Sequence, residues 1–282
     1  MKQLPFKQRE ICIPGLKRTY RILQITDSHI VKMDEREEAF IIKDGPHKGK
    51  RLSDFGKIRY NRFCYNGEDT AKRFEQLCQC LCETPDCADL IVFTGDILDF
   101  YTEAAFEFMV ECLNKLPIPY LFVLGNHDMI FTDIPDDRMR QIFQTVCGPN
   151  TQVQKYKLGE LALIGVDNIE NVYTPKTLAD LKEAMAGEEH VLLFQHVPLS
   201  TNELHQQYLT VSKHDWSLGN EGVCEGDSWK EMFNILEAPD SKVRALICGD
   251  CHFDHEGPIG NATQFTAALC AENPAVLYTV HG

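Results

Sequence analysis

Short apolar runs bounded by turn residues recur along this chain and set its expected architecture. "YRILQIT", "DLIVFTG", "YLFVLG", "LALIGV", "HVLLF", "VRALICG" and "AVLYTV" each read as a buried strand. Between several of them lie helical segments with start or stop residues. "DTAKRFEQLCQCLCE" begins at a capping Asp69, "TEAAFEFMVECLNKL" at Thr102, and "TPKTLADLKEAMAG" ends at Gly187. Strand and helix in alternation predict an α/β layered fold. "LGEL", inside "TQVQKYKLGELALIGVD", predicts a hairpin between neighbouring strands, so the outcome is a mixed sheet or two packed sheets. No repeat, low-complexity tract or Gly/Ser linker divides the chain, and a single domain over residues 1–282 is expected.

Composition narrows the partners. Apolar content of 44% with 25% charged residues excludes a disordered chain. A net charge of −14 argues against nucleic acid and anionic membrane, where a basic face carries the affinity. A small phosphorylated substrate stays compatible, because bound cations reverse the local field. "MKQLPFKQREICIPGLKR" has no apolar leader and no stretch reaches membrane-spanning length, so a cytoplasmic location and reduced thiols are expected for the twelve cysteines. The group Cys78, Cys80, Cys82 and Cys87 lacks CxxC spacing and reads as small hydrophobes or bystander thiols rather than a zinc site. One segment departs from the acidic background. Residues 43–62 carry seven Lys/Arg against two Asp, within an expected insertion at 31–65. It reads either as a solvated loop or as a lid bringing cations over an anionic substrate.

The strand ends carry the chemistry. "RILQIT" runs into Asp27-Ser28-His29, "LIVFT" into Gly95-Asp96-Ile97-Leu98-Asp99, and "YLFVL" into Gly125-Asn126-His127-Asp128. "VLLFQ" runs into His196, and "VRALIC" into Gly249-Asp250-Cys251-His252. Each alone is a weak signal. Together they describe a metal site, since the carboxyl ends of strands in α/β sheets line the ligand crevice. The donors are too many for one ion and suit two ions bridged by a shared carboxylate, with Mn, Fe or Zn as occupants. Such a pair clamps the attacking and leaving oxygens of a phosphoryl displacement and acidifies bound water. No side-chain nucleophile is then required, and no G-x-S-x-G elbow or cysteine phosphatase loop is present.

The ordered set "DSH", "GDILD", "GNHD", "QH" and "GDCH" resembles the signature of the calcineurin-like metallophosphoesterases: D-x-H, G-D-x-x-D, G-N-H-[DE], a later His, and G-H-x-H. The resemblance covers residues from about 20 to 270. It implies a four-layer αββα sandwich of two mixed sheets flanked by helices. It also implies ester hydrolysis by a hydroxide bridging two metal ions. By the same resemblance, Asp27, His29 and His252 hold one ion and Asp96 bridges to a second, held also by Asn126, His196 and the residue at 250. His127 sits beside the substrate and protonates or stabilises the leaving oxygen, Asp99 orients its ring, and Asp128 supports the site from behind. A compact chain with "GNHD" is more similar to the cyclic-nucleotide phosphodiesterase-like branch than to protein phosphatases, which would place an arginine soon after "GDILD".

Position 250 departs from the family, with aspartate in place of histidine. If Asp250 reaches the second ion, three carboxylates face two cations and the harder Mn²⁺ or Fe²⁺ is favoured over Zn²⁺. If it does not, the second ion is weakly held, and the alternative is a catalytically impaired binding or scaffold protein. Asp254 and His255 lie past the strand end and are expected to be structural. Substrate choice is expected to reside in loops 31–65 and 200–225. Neither the natural substrate nor the oligomeric state follows from the sequence.

Overall fold

The apolar runs assemble into two β-sheets packed face to face in a computed structural model, which describes residues 6–43, 45–63, 69–170, 172–212, 228–270, 272 and 274–282. The first sheet takes β1 (Lys7–Cys12), β2 (Tyr20–Ile25), β3 (Leu90–Thr94), β4 (Tyr120–Val123) and β11 (Val276–His281). Its order is β1-β11-β2-β3-β4, with β2, β3 and β4 parallel and β11 antiparallel to β2. The second sheet takes β5 (Val153–Leu158), β6 (Leu161–Val166), β7 (His190–Phe194), β8 (Val243–Cys248), β9 (His255–Ile259) and β10 (Ala262–Thr266). Its order is β5-β6-β7-β8-β10-β9, parallel in the middle with an antiparallel strand at each edge.

Seven α-helices occur among the described residues: α1 (Leu52–Phe63), α2 (Thr70–Glu83), α3 (Glu103–Leu113), α4 (Asp136–Cys147), α5 (Pro175–Met185), α6 (Asn202–Ser212) and α7 (Ser228–Glu237). Side-chain alternation sorts the strands into layers. Ile22, Val92, Leu163, Leu192, Phe194 and Ile247 point into the space between the sheets. Leu23, Ile91, Phe93 and Phe122 point outward onto Phe74 and Leu81 of α2, Met109 of α3 and Phe143 of α4. On the far side, Ile164, Leu193 and Leu246 meet Leu181 of α5 and Leu236 of α7. The result is the expected αββα sandwich.

Local signals behave as read. Asp69, Thr102 and Thr174 each accept a hydrogen bond from the backbone N–H three residues on, at Lys72, Ala105 and Thr177. Gly159, at φ +59°, turns the hairpin between β5 and β6. The basic insertion is more ordered than the loop expected from composition. Its α1 and a 3-10 turn at Gly45–His47 enclose a small apolar cluster of Val31, Ile42, Leu52, Phe55 and Phe100. Residues 44, 64 and 65 of that insertion, and 213–225 of the second expected specificity loop, lie outside the described residues. Among the described residues, no helix is long and apolar enough to cross a membrane.

Two glutamines tie the sheets together. Buried Gln24 on β2 donates through Nε2 to Thr94 Oγ1 (2.8 Å) and to the Cys248 carbonyl (2.9 Å), and accepts from Tyr278 Oη (2.9 Å). It thereby joins the ends of β2, β3 and β8. Gln154 on β5 bonds both main-chain groups of Phe122 on β4, with Nε2 2.5 Å from the carbonyl and Oε1 3.3 Å from the N–H. Gln24→Leu keeps the volume but takes this partner from one buried carbonyl, that of Cys248, and from the two buried hydroxyls of Thr94 and Tyr278. Urea unfolding should show a loss of about 2–4 kcal/mol. A loss too small to resolve would mean that the two sheets do not depend on this tie.

Candidate metal centre

Five strands from both sheets end on one rim of the sandwich. β2 leads to Asp27 and His29, β3 to Asp96 and Asp99, β4 to Asn126, His127 and Asp128, β7 to His196, and β8 to Asp250 and His252. The backbone turns sharply at these ends. Of the six non-glycine residues with left-handed φ among the described residues, five are candidate ligands: Asp27 (+51°), His29 (+44°), Asp96 (+52°), Asp250 (+64°) and His252 (+57°). Each such conformation costs about 1–3 kcal/mol and persists only where the surroundings enforce it. Here main-chain bonds from Asp27 N–H to the Gly95 carbonyl (3.0 Å) and from His29 N–H to the Asp96 carbonyl (3.0 Å) do so. Two glycines let the turns touch. A Cβ on Gly125 would lie 2.1 Å from the Asp96 nitrogen, and one on Gly249 would lie 2.2 Å from Thr26 Oγ1.

The side chains gather into two groups that meet at Asp96. In the first, His29 Nε2 lies 3.1 Å from His252 Nε2, 3.9 Å from Asp27 Oδ1 and 3.8 Å from Asp96 Oδ2. In the second, His196 Nε2 lies 3.1 Å from Asn126 Oδ1, 3.2 Å from Asp96 Oδ1 and 3.7 Å from Asp250 Oδ1. Asp27, His29, Asp96 and His196 are buried, whereas His252 is 31% exposed and opens the site to solvent. Asp250 is long enough to enter the second group. Asp254 instead pairs with Lys7 (2.9 Å) and Arg9 (3.2 Å), and His255 begins β9 with its Nδ1 2.7 Å from Gln207 Oε1.

The donor chemistry fits cations. His196 Nδ1 faces the Thr94 carbonyl at 2.7 Å, so it carries the proton and Nε2 turns its lone pair toward three side-chain oxygens. His29 Nδ1 faces Asp99 Oδ1 at 2.9 Å, leaving its Nε2 opposite the Nε2 of His252. Asp27 Oδ1 is buried without a hydrogen-bond partner, although His252 Nε2 lies 3.2 Å away. Convergent lone pairs of this kind need a proton or a metal between them. The charges say the same. Burial opposes a charge on His196, but Asp96, Asp27 and Asp250 outweigh it and raise the imidazole well above its usual range. Burial likewise opposes a charge on His252, and Asp27, Asp96 and Asp250 prevail there too. Burial, with Asp96 and Asp27 nearby, pushes the Asp250 carboxyl up to about 6. Three carboxylates crowded at one largely buried rim call for positive charge.

The remaining site residues frame this centre. Asp128 is buried and accepts N–H bonds from Asp96 (3.1 Å), Leu98 (2.8 Å) and Gly125 (2.7 Å), bracing the β3 and β4 ends. His127 reaches Asp99, but through a different atom than expected. Its Nδ1 bonds the main-chain carbonyl of Asp99 at 2.8 Å, while the carboxylate stands 3.6 Å away. The Asp99 carboxylate serves His29 and Arg59 instead. Three contributors escaped the sequence reading. Thr26 Oγ1 donates to Asp27 Oδ2 (2.6 Å), Phe63 stacks on the His29 ring at 4.3 Å, and Arg59 grips Asp99. The basic segment was the one signal that could have pointed to Arg59. Of the cysteines singled out, Cys78 and Cys87 are buried, Cys80 is half-buried and Cys82 exposed, and none joins a metal-binding group among the described residues.

Comparison with known proteins places this geometry. The family model for calcineurin-like phosphoesterases matches residues 20–254. A probable cyclic nucleotide phosphodiesterase from Colwellia psychrerythraea is 23% identical over 273 residues, covering 91% of this chain and 78% of that protein. Among solved structures, purple acid phosphatase PPD1 from yellow lupin seeds aligns with a TM-score of 0.53 at 12% identity, over 90% of this chain and 45% of that one. At this identity the likeness concerns the fold alone. With most of its length and all its strand-end motifs inside the matched span, this chain belongs to the calcineurin-like phosphoesterases, a family of phosphoric ester hydrolases.

Proposed function

We propose that this protein hydrolyses a phosphomonoester or small phosphodiester at a centre of two divalent cations, with Mn²⁺ or Fe²⁺ favoured over Zn²⁺. The observation that carries this reading is Asp96, whose two oxygens face two different ligand groups. Asp27, His29 and His252 would hold one ion, Asn126, His196 and Asp250 the other, with Asp96 common to both. When bound, such ions supply a nucleophilic water near neutral pH and positive charge for the phosphoryl oxygens. The chain's own residues do the rest. Asp99 and the Thr94 carbonyl hold the proton on Nδ1 of His29 and His196, so that Nε2 of each stays available. His127, tethered through Nδ1 to the Asp99 carbonyl, keeps Nε2 for a hydrogen bond or proton to the leaving oxygen.

The described activity of the Colwellia relative supports a phosphodiester, and the net charge of −14 supports a small substrate over a nucleic acid. The carboxylate at position 250 supports the harder ions, because it replaces a neutral imidazole with an anionic oxygen beside Asp96 and Asp27.

Three outcomes are expected. Mn²⁺ at a hundredfold excess over the Kd of each site should raise the unfolding free energy by about 2.7 kcal/mol per ion, or about 5 kcal/mol for two, and chelation or Asp96→Asn should remove most of the increment. An unchanged denaturation curve would contradict a metal centre. His127→Ala should lower kcat on a chromogenic bis-aryl phosphate by about 10²–10⁴-fold while metal content holds. A wild-type protein that binds ions but turns over nothing with Mn²⁺, Fe²⁺ or Zn²⁺ would support the scaffold alternative instead. Asp250→His should shift competitive binding from Mn²⁺ toward Zn²⁺. An unaltered preference would show that this carboxylate does not set metal choice.

A further inference from the structure

We propose that Arg59, on helix α1 of the basic insertion, is a positioning residue for the metal centre: it fixes the Asp99 carboxylate that orients His29. The inference rests on the metal-binding reading of the site above.

Asp99 is fully buried, and three N–H groups converge on its carboxylate. Arg59 Nε lies 2.7 Å from Oδ2, Arg59 Nη2 lies 2.5 Å from Oδ1, and His29 Nδ1 lies 2.9 Å from the same Oδ1. The arginine thus uses its planar fork at both oxygens, which fixes the plane as well as the position of the carboxylate. His29 then takes its tautomer and ring direction from Oδ1, with Nε2 turned to Asp27, Asp96 and His252. A lysine could supply charge here but not the fork.

The helix that carries Arg59 is itself held on the site. Phe63, one turn further along α1, lies flat against the His29 imidazole, with ring centroids 4.3 Å apart and planes within 5°. The Arg59 guanidinium sits over Phe63 at 4.7 Å and near Phe55 at 5.9 Å. Phe55 packs in turn on Phe131, just past the turn that bears His127, at 4.9 Å. Gly56 lets the helix lie against Met33, whose Cε would stand 2.4 Å from an added Cβ. His29 is therefore clamped between Phe63 on its face and Asp99 at its edge. Arg59 is 13% exposed and committed to a protein carboxylate. Arg59 therefore acts through an internal contact, not as a cation held out to substrate.

A simple anchor for α1 would have the same contacts, so the test reads metal affinity alongside stability. In the full-length protein, Mn²⁺ Kd is measured by isothermal titration for wild type, Arg59→Gln, Arg59→Lys, Asp99→Asn and the Arg59→Gln/Asp99→Asn double variant, with metal-free melting curves for each. The expected result is a 10- to 100-fold higher Kd for Arg59→Gln, as for lost partners of metal-bound histidines generally, and a smaller rise for Arg59→Lys. The double variant should bind no more weakly than Asp99→Asn within twofold. A lowered melting temperature with wild-type Mn²⁺ affinity in both Arg59 variants would overturn the inference and leave a structural anchor. Additive losses in the double variant would overturn it as well, since Arg59 would then act by another route. If Arg59→Gln fails to fold, the Arg59→Lys affinity decides alone. A wild-type protein that binds no Mn²⁺ would overturn the metal-centre reading and this inference with it.

Discussion

One carboxylate facing two ways is the constraint around which this molecule is organised. Asp96 presents Oδ2 to the His29 side of the rim and Oδ1 to the His196 side, and Oδ1 also receives the His127 N–H at 2.9 Å. No regular strand could place it so. Asp96 adopts a left-handed backbone at φ +52°, its N–H is held by Asp128, and Gly125 leaves the space its main chain occupies. The cost of that strained turn is met by packing beneath it, where β3 is buried along its whole length.

The sandwich exists, in this view, to bring strand ends of two sheets to one edge. His29 and Asp96 come from the first sheet, and His196, Asp250 and His252 from the second, so neither sheet holds the whole set of candidate ligands alone. Gln24 links the ends of β2, β3 and β8 just below the loops that carry the candidate ligands. Stability and chemistry are thereby coupled: a shift between the sheets would pull the two groups apart.

Much of this was legible in sequence because the core strands are nearly continuous apolar runs and each ends in a polar motif of fixed order. Seven strands, three helices and the β5–β6 hairpin were foreseen. What escaped depends on tertiary context. β1, "KQREIC", reads as a charged segment because its polar residues alternate with Arg9 and Ile11, buried at the sheet edge. β9, "HEGPI", carries Pro258, which an edge strand tolerates but which hides the strand from pattern reading. Helix α1 is mostly polar and contains Gly56, so its residues read as a loop; it is held by tertiary contacts, among them the aromatic cluster of Phe55, Phe100 and Phe131, the stack of Phe63 on His29 and the Arg59–Asp99 pair. The candidate ligands were legible by motif, but the division of labour at Asp99 was not. Which of its atoms serves His127 and which serves His29 is decided by the φ/ψ path of the loop and by an arginine forty residues away.

The most direct test of a shared Asp96 is anomalous diffraction from a crystal grown with Mn²⁺. Two peaks should flank this carboxylate, roughly 3.5–4 Å apart, one beside His29 and His252 and the other beside His196 and Asp250. A single peak, or peaks away from Asp96, would contradict a shared carboxylate.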